Sequence, residues 1–337
     1  MQPKPGYLAA LILAYGSGAF AADATQIIPT TYEAGHFYAT PETTEGQKLK
    51  LLVDTGGAGG SGMYVLTPKT LARLHLTMQT CKLGDSSVQV VTVPDFKPGF
   101  ALPRPEHSAC GYMALVNAAV DDTLGAGYLP DHIWTFDYPR QRLILESSAW
   151  KWSASTHPAM MSFPTNPYAQ RLSGLPRIVI KVDGQDVDML LDTGATAHPS
   201  TVGKRASGTP TVNGLGVTSY IVSSIFNRWH KAHPDWSVVE NGDDLFGPKN
   251  ATRMIKVPRV EIARWAIGPV WFTERADTNF DALSSLMDKQ VEGSVGANVF
   301  QHFVMTLDYP RSIAFFLCAQ DCTAVGKPTV ATPPPAP

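Results

Sequence analysis

Residues 46–56 read GQKLKLLVDTG, and residues 184–194 read GQDVDMLLDTG. Six of these eleven positions are identical without a gap. In both segments apolar side chains alternate with polar or charged ones ahead of the Asp-Thr-Gly, and a period of two is typical of a half-buried β-strand. The sequence therefore predicts two equivalent strands, each of which delivers an aspartate at its end.

A second repeated segment lies farther along each half of the chain. Residues 124–140 read LGAGYLPDHIWTFDYPR and residues 295–311 read VGANVFQHFVMTLDYPR, with seven of 17 positions identical. A shorter match, VTVP at 91–94 with IKVP at 255–258, lies between the two longer ones in the same order. Matches in a common order indicate an internal duplication. We predict two similar lobes joined through the Ser/Thr/Pro/Asn-rich stretch 147–176.

The composition restricts the class of protein. The chain has 337 residues, of which 44% are hydrophobic and 17% are charged, enough to bury one large or two ordinary cores. The formal net charge is -2 and no basic stripe stands out, which argues against a dedicated nucleic-acid binder. The 28 Gly and 27 Pro residues imply many turns, so we expect a mostly β fold with short helices.

The two ends of the chain carry separate signals. Residues 1–21 predict a signal peptide, with Lys4 ahead of a short apolar run at 7–15 and a small-x-small cleavage site at 19–21. A buried N-terminal strand or helix is the alternative. No later stretch approaches the roughly 20 apolar residues of a membrane helix, so we expect an exported protein, periplasmic or secreted, without a stable membrane span. Residues 323–337, which end in ATPPPAP, predict a disordered Pro-rich tail.

The four cysteines fit an oxidising compartment. An even number in an exported chain indicates disulfides. Pairing within each half joins Cys81 to Cys110 and Cys318 to Cys322, and two other connectivities remain open. A metal site is the weaker interpretation, because the chain has no Cys-x-x-Cys and only His107 lies near a cysteine. We therefore predict no metal and no cofactor.

The two Asp-Thr-Gly segments predict a paired-carboxylate site. If Asp54 and Asp192 face each other across a pseudo-twofold axis, they cannot both ionise and must share a proton. One carboxylate can then act as base on a water while the other acts as acid toward a carbonyl. Each glycine lets the backbone pass close to a carboxylate, and each threonine hydroxyl can bond to the partner lobe. The supporting loop residues are Thr55, Gly56, Thr193 and Gly194.

These motifs resemble those of aspartic proteases of the retropepsin and pepsin kind. The resemblance rests on the Asp-Thr-Gly pair, the apolar-Gly pairs Leu124-Gly125 and Val295-Gly296, and the two Asp-Tyr-Pro-Arg segments. Each half is more closely similar to the retropepsin-like aspartyl protease domains of bacteria. The resemblance implies two β-barrel lobes, at 25–150 and 155–322, related by a pseudo-twofold axis, with a cleft between them and a flap over the cleft.

In that family Asp54 and Asp192 would be the catalytic pair. The predicted function is therefore a monomeric aspartic endopeptidase that acts on peptide or protein substrates. The alternative is a catalytically silent homologue that binds peptide or protein in the same cleft. One departure supports it: the family has Ala or Ser after Asp-Thr-Gly, and this chain has Ala195 in the second half but Gly57 in the first. The region 79–100 is the candidate for the flap.

Overall fold

The computed structural model describes residues 24–57, 62–103, 110–111, 113–117 and 122–326. The predicted signal peptide and residues 327–337 of the predicted tail lie outside the described residues. Within the described ranges the chain is mostly β with short helices, as the composition and the strand patterns predicted.

The first lobe is built on an eight-stranded sheet. Its strands are β2 (Thr30–Glu33), β3 (His36–Ala39), β4 (Leu51–Val53), β5 (Val65–Leu66), β6 (Met78–Leu83), β7 (Ser86–Thr92), β8 (Met113–Val116) and β9 (Thr123–Leu124). They pair in the order β2-β3-β4-β9-β5-β8-β7-β6.

The second lobe is built on a ten-stranded sheet and a separate two-stranded one. The strands of the large sheet are β13 (Arg177–Val182), β14 (Gln185–Leu191), β17 (Ser219–Val222), β18 (Val238–Asp243), β19 (Thr252–Val257), β20 (Val260–Ile262), β21 (Trp265–Ile267), β22 (Val270–Arg275), β23 (Gly293–Val295) and β26 (Thr323–Ala324). They pair in the order β18-β19-β22-β17-β23-β14-β13-β20-β21-β26. The small sheet consists of β15 (Thr196–Ala197) and β16 (Gly216–Val217).

The two large sheets contain the same run of strands. The run β3-β4-β9-β5-β8-β7-β6 of the first lobe corresponds strand for strand to β13-β14-β23-β17-β22-β19-β18 of the second. The register agrees as well, because Leu52 pairs with Thr123 in a parallel ladder and Leu190 pairs with Ser294 in its counterpart. All three repeated sequence segments therefore lie on equivalent elements, and the prediction of two similar lobes is confirmed.

A third sheet of six strands joins the lobes. Its strands are β1 (Gln26–Ile28), β10 (Ile133–Asp137), β11 (Arg142–Glu146), β12 (Thr156–Met160), β24 (Phe303–Asp308) and β25 (Ile313–Cys318), in the order β1-β11-β10-β24-β25-β12. At its centre β10 and β24 run antiparallel, with Thr135 opposite Thr306 and their hydroxyl oxygens 2.7 Å apart. The pseudo-twofold axis therefore passes between these two threonines.

The helices are short and connect the strands. They are α1 (Pro68–Arg73), α2 (Thr201–Ser207), α3 (Ser223–Ala232), α4 (Asp277–Ser284) and α5 (Ala297–Phe300), with 3-10 turns at Leu129–Asp131 and Pro248–Asn250. Helix α1 begins at Pro68 because Thr67 caps it: the Thr67 hydroxyl accepts a hydrogen bond from the Thr70 amide at 3.3 Å. None of the helices in the described ranges is long and apolar enough to cross a membrane.

The two Asp-Tyr-Pro-Arg turns have the same shape because of their aspartates. Asp137 accepts a hydrogen bond from the Arg140 amide at 3.2 Å, and Asp308 accepts one from the Arg311 amide at 3.0 Å. Both carboxylates also pair with the arginine of their own turn. These aspartates therefore close hairpins rather than take part in a reacting site.

The tail differs from its prediction at its beginning. Thr323 pairs with Ala266 and Ala324 pairs with Trp265, so the first residues of the predicted disordered segment form strand β26. The physical reason is the free edge of β21, whose backbone groups take up an added strand even where the side chains have no core to enter.

Both locally paired disulfides are present. Cys81 is bonded to Cys110, with a Cα–Cα distance of 6.1 Å, and Cys318 is bonded to Cys322 at 6.0 Å. We expect peptide mapping of the non-reduced protein to recover both cross-linked peptides, because each pair already has the Cα spacing of a disulfide. Four alkylatable thiols in protein purified without reductant would contradict this pairing.

Candidate active site

The two predicted aspartates lie at equivalent strand ends. Asp54 follows β4 and Asp192 follows β14. The Asp54 amide donates to the Leu124 carbonyl at 3.0 Å, and the Asp192 amide donates to the Val295 carbonyl at 2.9 Å. Each aspartate is therefore held by the neighbouring parallel strand of its own lobe, β9 or β23. The last residue of each of these strands begins the second repeated segment.

Two threonines cross between the lobes directly behind the aspartates. The Thr55 hydroxyl donates to the Leu191 carbonyl at 2.6 Å, and the Thr193 hydroxyl donates to the Val53 carbonyl at 2.7 Å. Each hydroxyl oxygen also accepts the backbone amide of the other threonine, at 3.1 and 3.0 Å. These four reciprocal bonds, made by side chains that are 0% and 2% exposed, join the two aspartate-bearing loops. We call Thr55 and Thr193 the threonine pair.

The two carboxyl groups lie close together, because each packs against the glycine of the opposite loop. The Gly56 amide donates to Asp54 Oδ1 at 2.9 Å, and the Gly194 amide donates to Asp192 Oδ1 at 3.1 Å. Glycine is required at both places by close approach: a Cβ on Gly56 would lie 2.7 Å from Asp192 Cγ, and one on Gly194 would overlap the Asp54 carboxyl. The structure brings together here every residue that the sequence predicted for the dyad and its supporting loop.

Burial changes the acidity of both carboxyl groups. Desolvation raises the pKa of Asp54, against the opposing effect of its hydrogen bonds to Asp192 and to backbone amides. The pKa of Asp192 is raised well above its usual value, first by desolvation and then by the charge of Asp54. The pair therefore keeps a proton at a pH where an exposed aspartate has lost it, and the two groups titrate as one unit.

Gly57 is explained by the crowding around Asp54. A Cβ at this position would lie 2.5 Å from Asp54 Oδ2, so any larger residue requires the loop to move. The turn itself has the same form in both lobes, because the Gly57 amide donates to the Asp54 carbonyl at 3.1 Å and the Ala195 amide donates to the Asp192 carbonyl at 3.4 Å. The difference between Gly57 and Ala195 therefore leaves the turn intact.

Sequence reasoning missed several groups that surround the dyad. Ser294 is buried beside Asp192; its hydroxyl makes no well-formed hydrogen bond with a described residue, yet it lowers the pKa of that carboxyl. Burial raises the pKa of Tyr138 and of Tyr309, from the two Asp-Tyr-Pro-Arg turns, and the charge of the aspartate of the opposite lobe adds to this effect. The repeated segments contained the signal, since both tyrosines recur in register.

The candidate flap region contains a hairpin. Strands β6 and β7 form it, with Gly84-Asp85 at the turn, and the Cys81–Cys110 disulfide ties it to the later part of the lobe. Strands β18 and β19 form the equivalent hairpin of the second lobe.

Among the described residues no group of three His, Cys, Asp or Glu side chains is arranged to hold a metal ion.

Comparisons with known proteins place few constraints on this chain. No protein-family model matches it, and no curated protein matches it in sequence. Similar solved structures include an aspartic proteinase from Irpex lacteus, with 12% identity, a TM-score of 0.46 and coverage of 88% of this chain and 98% of that one. They also include the basic 7S globulin from soybean, with 11% identity, a TM-score of 0.41 and coverage of 89% and 97%. Conglutin gamma, a basic 7S globulin from lupine seeds, has 11% identity, a TM-score of 0.40 and coverage of 88% and 95%. At this level of similarity, function has to be argued from the site.

Proposed function

We propose that the protein is an aspartic endopeptidase whose catalytic groups are Asp54 and Asp192. The observation that carries this proposal is the arrangement of the two carboxyls: they end equivalent strands, each packs against the glycine of the opposite loop, and the two loops are joined by the threonine pair. Such an arrangement holds one proton between two oxygens, which is the starting state of acid–base hydrolysis without a covalent intermediate.

The reaction follows from the single shared proton. The ionised carboxylate removes a proton from a water whose oxygen bonds to the substrate carbonyl carbon. The protonated carboxyl gives its proton to the carbonyl oxygen, which yields a tetrahedral diol. The pair then gives its one proton to the amide nitrogen and the C–N bond breaks. One hydroxyl of the diol loses its proton to the pair as the product carboxyl group forms, which restores the one-proton state. The backbone amides of Gly56 and Gly194 hold the carboxylates in place throughout.

The silent homologue remains the second candidate, because Gly57 stands where the family has Ala or Ser, although the turn keeps its form. The test is cleavage of a peptide library by the full protein from acid to neutral pH, with peptide ends identified by mass spectrometry. Cleavage that is blocked by a substrate analogue carrying a hydroxyl at the scissile position supports the endopeptidase. Peptide binding without cleavage at any pH would favour the silent homologue.

We expect hydrolysis to be favoured at acid pH. Both pKa values are raised by burial, so the one-proton form of the pair persists above the ordinary aspartate range. As the pH rises through the higher pKa of the pair, the shared proton is lost and the acid in the mechanism disappears. The measurement is kcat/KM against pH; a rate that stays level or increases on passing to alkaline pH would refute the shared-proton mechanism.

We further propose that the protein acts as a monomer after export to the periplasm or the outside of the cell, with lobes spanning 25–150 and 155–322. The two disulfides support an oxidising compartment. Both aspartates come from one chain, so the site does not need a second copy.

A further inference from the structure

One hairpin of the first lobe docks onto the second lobe close to the Asp192 loop. Strands β2 and β3 are joined by Ala34-Gly35, both with positive φ, at 47° and 98°. The approach at this tip is tight, because a Cβ on Gly35 would lie 2.6 Å from Val217 Cγ1. Val217 is the β16 partner of Thr196 in β15, so the tip rests on the small two-stranded sheet of the second lobe.

His36 is the first residue after this turn and is only 2% exposed. Its Nε2 lies 3.1 Å from Thr196 Oγ1, and that hydroxyl in turn donates to the Gly194 carbonyl at 2.8 Å. Because the Thr196 hydroxyl proton is used in this second bond, His36 Nε2 must be the donor in the first. The carbonyls of Gly194 and Ala195 lie near the ring. The histidine of one lobe thus bonds, through Thr196, to the loop that follows the aspartate of the other.

The pseudo-twofold axis does not repeat this contact. Tyr38 pairs with Leu52 in the first lobe, and Arg177 pairs with Leu190 at the equivalent place in the second. Two residues before Arg177 stands Leu175, which is buried and has no polar side-chain group. The fold therefore accepts an apolar residue at this position, and the polar contact made by His36 needs a separate explanation.

We propose that His36 is a positioning residue that holds the loop following Asp192 from the opposite lobe. This inference rests on the proposed function, since the loop it holds carries the second carboxylate. His36 itself touches no reacting atom. It acts through Thr196 and the Gly194 carbonyl, and Gly194 carries the amide that bonds to Asp192.

The contact should also depend on pH. Desolvation lowers the pKa of His36 to about 4, against the opposing effects of backbone acceptors and of Glu33. Glu33 is itself paired with Lys50 at 2.7 Å, and the Tyr38 ring centroid lies 6.2 Å from the imidazole. The other titratable groups that line the same cavity as His36 are Lys48, Lys69, Arg73 and Asp122. A His whose pKa is lowered on folding stabilises the docked state in its neutral form, so the docking weakens as the pH falls from about 6.5 through about 4.

The kinetic test compares His36→Leu, His36→Gln and Thr196→Val with an exposed-histidine control, His230→Gln. We expect His36→Leu and Thr196→Val each to lower kcat about 10-fold with little change in KM, and the double variant to be no worse than either. Gln can still donate to Thr196 but does not titrate, so His36→Gln should keep most of kcat. Protonation of His36 should lower kcat of the wild type as the pH falls toward 4, and this part of the pH dependence should be absent in His36→Gln. The proposal would be overturned if the losses of kcat in the double variant were additive, or if kcat of His36→Gln fell at acid pH as it does in the wild type.

A second measurement does not require activity. Hydrogen exchange of the backbone amides at 194–196 should be about 10-fold faster in His36→Leu than in the wild type at pH 7, with the rest of the second lobe unchanged. In the wild type this protection should decrease as the pH falls toward 4, after correction for intrinsic exchange. Equal protection in wild type and His36→Leu would refute the proposal that His36 holds this loop, which we call the His36 tether. A protein that shows the protection change but cleaves no peptide would retain the tether and lose the proposed function.

Discussion

We expect Asp54→Asn to lower kcat/KM for peptide cleavage by at least about 1,000-fold, and Asp192→Asn to do the same. An amide at either position can neither take a proton from water nor hold the shared proton. The remaining carboxyl cannot be base and acid in the same step. The double variant should be little worse than either single one, because the two groups act as a unit.

Suitable controls separate chemistry from folding in this experiment. Asp235→Asn changes an exposed aspartate and should leave kcat/KM unchanged. Both dyad carboxyls have raised pKa values, so in the ionised form they destabilise the fold, and this penalty grows as the pH rises. The Asn variants should therefore be at least as stable as the wild type at neutral pH. A single variant that retains more than a tenth of the activity would remove that residue from the dyad.

Thr193→Val should both destabilise the protein and stop hydrolysis. The Thr193 hydroxyl donates to the Val53 carbonyl and accepts from the Thr55 amide, and both partners are buried. Valine has a similar shape but no hydroxyl, so two buried backbone groups lose their partners at about 1–3 kcal/mol each. That is a large fraction of the roughly 5–15 kcal/mol by which a typical protein is stable.

The measurement is the free energy of unfolding in urea together with kcat/KM. Thr193→Ser is the matched control, because it keeps the hydroxyl and should retain most of the stability and the activity. Thr55→Val should repeat the result from the other lobe, since the bonds of the threonine pair are reciprocal. If Val and Ser variants behave alike, the hydroxyl bonds contribute nothing and the threonine pair is a packing feature only.

The sequence alone predicted the parts of the site that are local. An alternating strand, its terminal Asp-Thr-Gly and its duplicate are read directly from residues 46–56 and 184–194, because period and turn chemistry depend on neighbours in the chain. The hydroxyl bond from each threonine to the partner lobe was also expected, once two such loops were placed face to face.

Contacts between distant segments were beyond sequence reasoning. The repeated segments predicted equivalent elements in the two lobes but not the pairing of β10 with β24, because an apolar strand pairs equally well with many partners. His36 carries no local pattern, and only the docking of the β2–β3 tip on Val217 explains it. Strand β26 was missed for the same reason, since its partner edge lies far away in the chain.

The pairing of β10 with β24 has a consequence for how the two halves could change. Ile133 faces Asp308 while Asp137 faces Val304, so each contact has a mirror contact on the other side of Thr135 and Thr306. This is the isologous geometry of a homodimer with C2 symmetry, in which a substitution necessarily appears twice. Joined in one chain, the halves are free to differ. His36 is equivalent to Leu175, and Gly57 to Ala195, under the pseudo-twofold axis. Such differences between equivalent positions are impossible in an assembly of identical subunits.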